Sequence, residues 1–191
     1  MSQIDISTVD HIVGCILDRL DRAGDGYSGL ELVTQRVHAL QCGLLAERAG
    51  APSSLVAAAF LHDIGHLLQN GVASLAIQGI DALHEEKAAT FLETFFPDSV
   101  VEPVRLHVRA KRYLCTTERG YFESLSTASI TSLMVQGGPF NEVQADKFLK
   151  QPFAHEAIAL RRWDDLAKDP KMRTPDIAYF AYVLQDNVLQ F

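Results

Sequence analysis

The run AAAFLHDIGHLL, residues 57–68, decides the fold of this 191-residue chain. An apolar stretch leads without a break into His62 and Asp63. Burying an imidazole and a carboxylate side by side costs free energy unless something binds both. Pro52 and Ser53 open the segment, with proline near the first turn as helices prefer. The pattern predicts one continuous helix through APSSLVAAAFLHDIGHLL, residues 51–68. On such a helix neighbouring side chains leave the axis about 100° apart, so His62 and Asp63 share a pocket only at the seam between them. His66 follows His62 by one turn and faces the same way.

Working outward, four more ligand-type residues fall in helical segments. His38 lies in TQRVHALQCGLL, His84 opens DALHEEKAA, His107 lies in PVRLHVRAKRYL and Asp164 in LRRWDDLAK. Taken singly, His38 reads as a satisfied core histidine, His84 as an exposed helix start and His107 as unremarkable. The joint order, H then HD then H then H then D, is specific. Four imidazoles and two carboxylates are too many for one ordinary site and suit two metals bridged by a carboxylate. That narrows the chemistry to hydrolysis or to oxygen chemistry.

The rest of the chain reads as helical, which makes the fold class all-α. Val9, Ile12, Val13, Ile16, Leu17 and Leu20 recur with helical spacing, and Leu32, Val33, Val37, Leu40, Leu44 and Leu45 continue it in a second helix. Further helices are expected from His84 to Phe96, from near Pro103, over SLSTASITSLMVQ, and over residues 141–149, 153–168 and 175–188. No repeat, linker or low-complexity tract divides the chain, so residues 1–191 are expected to form one domain. Glycine-containing loops near Asp25 and Gly26 and over residues 71–79 read as candidate lids.

Composition excludes several classes. A net charge of −7 with no offsetting Lys/Arg cluster argues against a nucleic-acid surface. No apolar stretch has membrane-spanning length and the first residues show no signal-peptide pattern, so a soluble, cytoplasmic protein is expected. Cys15, Cys42 and Cys115 are scattered, without CxxC spacing, and read as reduced, buried thiols.

Around the ligands, Lys111 follows His107 by one turn and is a compact anion-binding charge, the alternative being a solvated lysine among Arg105, Arg109 and Arg112. Ser129, Ser132 and Gln136 make a polar stripe on an apolar helix, which by spacing alone reads as its exposed face. Gly137 and Gly138 behind it would allow close approach of backbone. Arg161 and Asp164 are one turn apart, with Arg162 and Asp165 as alternates, and a surface ion-pair ladder is the bland explanation.

The H…HD…D pattern resembles the HD-domain superfamily of helical metal proteins, and His84 and His107 match its two-metal branch. LHDIGH is a superfamily-level phrase; HVRAKRYL, LSTAS followed by QGGP, and RRWDDLAK are more specific. Together, from about Gln35 to Lys168, they resemble the HD-type mixed-valent diiron oxygenases that cleave the carbon–phosphorus bond of 1-hydroxyphosphonates, typified by 2-amino-1-hydroxyethylphosphonate dioxygenase. The resemblance implies an Fe(II)/Fe(III) pair held by His38, His62, Asp63, His84, His107 and Asp164, with O2 as co-substrate. It implies His66, Lys111, Ser129, Ser132, Gln136 and Arg161 around the phosphonate, with His62, Asp63, His66 and Lys111 central to catalysis. At the substrate's amino end it implies an aromatic and an acidic residue, for which Tyr27 and Glu31 are the candidates. A ring there suits a quaternary ammonium. That favours 1-hydroxy-2-(trimethylammonio)ethylphosphonate, giving glycine betaine and phosphate, over the primary amine, giving glycine. The competing enzyme is an HD-type phosphohydrolase of a nucleotide or phosphomonoester, which needs only metal-activated water. A phosphonate or metal sensor is the non-enzymatic alternative.

Overall fold

A computed structural model of the chain describes residues 6–26, 32–68 and 83–190. Among the described residues there are helices and no β-strand. α1 spans Ile6–Ala23 and α2 Gln35–Arg48, the latter capped by Thr34, whose hydroxyl accepts from Val37 N. α2 therefore starts later than the hydrophobic pattern suggests, leaving Leu32 and Val33 ahead of it. α3 (Ser53–Leu61) is buried almost throughout, and α4 (Ile64–Leu67) follows it after a break. α5 is His84–Leu92, shorter than expected, and α6 is Asp98–Thr117. Pro103 lies inside α6, near its start, rather than opening it. α7 (Tyr121–Ser124) is a short helix that the periodicity did not reveal. α8 (Thr127–Val135), α9 (Glu142–Leu149) and α10 (Ala154–Leu166) follow. A 3-10 turn, Ile177–Phe180, leads into α11 (Ala181–Asn187).

α6 is the organising strut. It packs on α10, α3 and α5, while α2 packs on α3 and α10. The main core joins α1, α2, α3, α5 and α11, with Phe60 stacked on Phe180 at 4.7 Å between ring centroids. Two smaller clusters under α8 and α9 extend it, one around Phe140 and Phe148 and one around Leu114 and Leu133. Burial of this many Val, Leu, Ile and Phe side chains, each worth about 1.5–3 kcal/mol, holds the helices in place. It leaves their polar residues to meet where α2, α3, α5, α6 and α10 converge.

The continuous helix expected over residues 51–68 is broken at His62 and Asp63. His62 ends α3, and Asp63 precedes α4 with φ −98° and ψ 8°, a sparsely occupied backbone region. The break redirects both side chains into one pocket, which an unbroken helix could do only at its seam. Gly65 completes the turn: a Cβ there would lie 2.0 Å from the carbonyl oxygen of His84, so only glycine lets α4 close onto the start of α5. The thiols also differ from expectation. Cys42 is buried, but Cys15 is exposed on α1 and Cys115 is half-buried, because neither faces the main core. No helix among the described residues is long and apolar enough to cross a membrane.

Candidate metal centre

Six side chains from six chain positions converge. α2 supplies His38, the α3–α4 break His62 and Asp63, the first residue of α5 His84, α6 His107, and α10 Asp164. They form two imidazole pairs. His38 Nε2 lies 3.3 Å from His62 Nε2, and His84 Nε2 lies 3.1 Å from His107 Nε2.

The backbone fixes which nitrogen is free. His38 Nδ1 donates to Ala167 O at 2.7 Å, His62 Nδ1 to Ala59 O at 2.8 Å and His107 Nδ1 to Val104 O at 2.7 Å. A carbonyl only accepts, so Nδ1 carries the proton in each and Nε2 presents a lone pair. His84 Nδ1 faces the Glu85 carboxylate at 3.4 Å, a negative charge that favours the proton on that nitrogen. Burial pushes His107 down to about 3, with the His62 ring adding to it, and burial with His66 holds His84 well below the ordinary histidine range. Two neutral imidazoles thus turn lone pairs toward each other, which is unfavourable unless a cation lies between them. Two nitrogens each about 2.1 Å from one ion at an angle of about 100° would stand about 3.2 Å apart, in line with both pairs. At His38, burial lowers the pKa, but Cys42 and Asp164 outweigh burial and hold it well above the ordinary value. That is the same demand for positive charge at its Nε2.

Asp63 joins the pairs. Its Oδ1 lies 3.4 Å from His84 Nε2, 3.8 Å from His107 Nε2 and 3.6 Å from His62 Nε2, and its Oδ2 lies 3.7 Å from His38 Nε2. Burial raises its carboxyl, yet the imidazoles of His62, His66, His84 and His38 hold it well below the carboxylate range. Asp164 serves one pair only, 3.3 Å from His38 Nε2 and 3.9 Å from His62 Nε2. The donor set, four imidazoles with one carboxylate between the pairs and a second at one end, fits two first-row metal ions. His66 stacks on His84 at 4.1 Å between centroids, and its Nε2 is 3.9 Å from Asp63.

Beside the pairs lies a cationic pocket. Lys111 is 2% exposed and its Nζ donates to Ser132 Oγ at 2.9 Å, so it is a buried anion-binding candidate rather than a solvated lysine. Burial, then the charge of Arg161, pushes it down to about 7. Ser129 is buried and Ser132 half-buried, so the polar stripe of α8 faces inward and not to solvent. The Gln136 amide oxygen is buried without a hydrogen-bond partner among the described residues, a feature a bound donor would relieve.

Arg161 is engaged elsewhere than expected. It donates through NH1 to Asp164 at 2.6 Å and through Nε to the Tyr121 hydroxyl at 3.1 Å, and also pairs with Asp165. This is a buried brace for Asp164, not a surface ladder. Its outward neighbour Arg162 pairs with Glu118. The charge near the serines comes instead from Lys168, whose Nζ donates to Ser129 Oγ at 3.0 Å and lies 3.9 Å from Asp164. Neither Lys168 nor Tyr121 stood out in the sequence, although Lys168 closes the phrase RRWDDLAK. Gly137 and Gly138, at φ +97° and +68°, end α8 and receive the Arg112 guanidinium on their carbonyls. The close approach they allow is that of Arg112. A cavity of about 500 Å³ opens beside Lys168, bordered by Leu32, Ser126, Thr127, Ala128 and Asp165. Tyr27, Glu31 and residues 71–79 lie outside the described residues.

The HD domain family model matches residues 37–169, which take in His38, the HD pair and Asp164. The chain belongs to the HD-domain family. Among its HD-domain relatives is the [1-hydroxy-2-(trimethylamino)ethyl]phosphonate dioxygenase (glycine-betaine-forming) of Leisingera caerulea. It is 41% identical over 186 residues, 97% of this chain and 93% of that protein. The hydroxymethylphosphonate dioxygenase of Gimesia maris is 43% identical over 148 residues, 77% of this chain and 74% of the relative. An uncharacterized protein of Acanthamoeba polyphaga mimivirus is 32% identical over 147 residues, 76% and 67% of the two chains.

Proposed function

We propose that this HD domain, serving as one unit over residues 1–191, is an O2-dependent oxygenase that cleaves the carbon–phosphorus bond of a 1-hydroxyphosphonate. The favoured substrate is 1-hydroxy-2-(trimethylammonio)ethylphosphonate, because the relative acting on that compound aligns over 97% of the chain. The C1–H and C–P bonds break, one atom of O2 ends on C1 as part of the carboxylate and the other ends on phosphorus, and the products are glycine betaine and phosphate. The observation that carries the reading is the pairing of two imidazole couples about Asp63 beside a buried Lys/Ser pocket.

His38, His62, Asp63 and Asp164 would hold one iron ion, and Asp63, His84 and His107 a second; when bound, the pair would supply the oxygen chemistry. The protein supplies position. Lys111 and Lys168 neutralise the phosphonate while Ser132 and Ser129, to which they donate, orient its oxygens. The Gln136 carbonyl accepts from a protonated phosphonate oxygen or the C1 hydroxyl, and His66, stacked on His84, closes the side nearest Asp63. Arg161 fixes Asp164 so that the carboxylate keeps its charge and direction. The cavity bordered by Leu32, Thr127 and Ala128 gives the substituent on C2 room, and Tyr27 and Glu31 remain the sequence candidates for binding its cationic end.

The deciding experiment loads the chain anaerobically with Fe(II), oxidises it partly, and measures phosphate release from the trimethylammonio, primary-amino and unsubstituted hydroxymethyl phosphonates. Release is expected to require O2 and to be fastest with the trimethylammonio compound. Phosphate released at equal rates without O2 would replace this reading with the phosphohydrolase one. Iron bound without any turnover would favour a sensor.

A further inference from the structure

We propose that Cys42 gives the His38–His62 pair a second way of holding metal, in which a thiophilic divalent ion is bound by His38 Nε2, His62 Nε2 and the Cys42 sulfur. This rests on reading the histidine cluster as a metal centre. Cys42 follows His38 by one turn of α2 and is fully buried. Its Sγ lies 4.0 Å from His38 Nε2, and the sulfur and both Nε2 atoms fall within 4.8 Å of one another. Both rings are tied by Nδ1 to backbone carbonyls, so the two lone pairs and the sulfur face one small space.

Asp164 Oδ1 approaches the same His38 nitrogen at 3.3 Å. One imidazole pair therefore has a hard oxygen donor and a soft sulfur donor within reach. The other pair does not: among the described residues, the donor groups formed around His84 and His107 contain only Asp63, His66 and His62. Soft ligands select zinc-like ions, whereas carboxylate and imidazole suit iron. Iron uses Asp63 and Asp164; Zn(II), Co(II) or Cd(II) engages the sulfur. On binding, the thiol proton leaves to solvent and a sulfur lone pair goes to the ion, with no oxidant or reductant involved. The sulfur-bound form holds the pair in a state that iron must displace.

The test uses the full metal-free chain carrying Cys15→Ser and Cys115→Ser, so that Cys42 is its one thiol. Cobalt(II) titration is expected to produce a sulfur-to-cobalt charge-transfer band. The band should vanish in Cys42→Ser, in Cys42→Ala (which keeps a small apolar side chain should serine disturb the core) and in His62→Ala. Competition should show Co(II) and Zn(II) weakened by about tenfold or more in the Cys42 variants, with Fe(II) changed far less. Cobalt taken up without the band, or a band that survives both Cys42 substitutions, overturns the inference and leaves the iron reading standing. No cobalt uptake at all overturns the inference together with the metal centre.

Discussion

The two imidazole pairs are built alike and surrounded differently. Each presents free Nε2 atoms a little over 3 Å apart, and each reaches Asp63. The His38–His62 pair has Asp164 behind it, braced by Arg161 with Tyr121 and Asp165, and Cys42 at its flank. Among the described residues the His84–His107 pair has no second carboxylate against Nε2; it has His66 stacked on it, and Lys111 one turn along α6. One half has two carboxylates and a sulfur close to its Nε2 atoms, the other the single carboxylate of Asp63. The difference teaches that similar ligands can be given separate tasks by the residues behind them.

Asp63 is what the halves share, so its removal is the largest expected effect. Asp63→Ala should drop phosphate release to background and lower the metal content of both halves, read by elemental analysis. Loss of a single ion with the other intact would show that Asp63 belongs to one half.

Two substitutions then separate the halves. Arg161→Ala leaves Asp164 as a buried carboxylate without its main partner, a change that costs roughly 3–5 kcal/mol. A lowered melting temperature and loss of the ion next to His38, with the other ion retained, is the expected pattern. Gly65→Ala does the reverse. Its new Cβ meets the His84 carbonyl, and overpacking of this kind costs about 1–3 kcal/mol. The ion at His84 and His107 should be lost first. If both variants lose the same ion, the division into halves is wrong.

How far this arrangement was legible follows from the cost of burial. Histidines and aspartates in apolar helical segments are expensive without a partner, so the all-α class could be read directly, while the six residues that converge here stood out only through their joint order and a family resemblance, each being unremarkable alone. The break at Asp63 could not, because no proline or glycine marks it before Gly65 and the apolar pattern runs straight through. The inward turn of the α8 stripe depends on Lys111 and Lys168 approaching from α6 and from just beyond α10, a tertiary fact that spacing does not encode. Lys168 follows the last turn of α10, where a lysine reads simply as a favourable charge near the helix dipole. Tyr121 lies in a four-residue helix too short to leave a periodic signal.

Lys111 links the His84–His107 half to the anion pocket, and its effect should fall on substrate rather than metal. Lys111→Ala removes a charged donor, worth about 1.5–3 kcal/mol, so KM should rise about tenfold to a hundredfold with iron content unchanged. In the wild type KM should rise as pH passes about 7, where Lys111 loses its proton before substrate binds. Stability runs the other way. Because the unfolded lysine binds its proton more tightly than the folded one, stability rises between about pH 7 and the ordinary lysine value. Lys111→Met should therefore stabilise the metal-free chain at neutral pH while weakening KM. Equal losses of iron and substrate would move Lys111 into the metal centre.

The smallest effect tests whether the His38–His62 half depends on its helix or on its partners. Thr34 caps α2 by accepting from Val37 N at 3.3 Å, four residues before His38. Thr34→Ala should cost about 1 kcal/mol, visible as a modest fall in melting temperature. His38 Nδ1 remains tied to Ala167 O and its Nε2 remains beside Asp164, both contributed by the other end of the chain. Metal content and KM should then hold at wild-type values, because a cap loosens the first turn while the ring is fixed from α10. A drop in iron as large as that of Arg161→Ala would mean that α2, not the α10 brace, sets the geometry of this half.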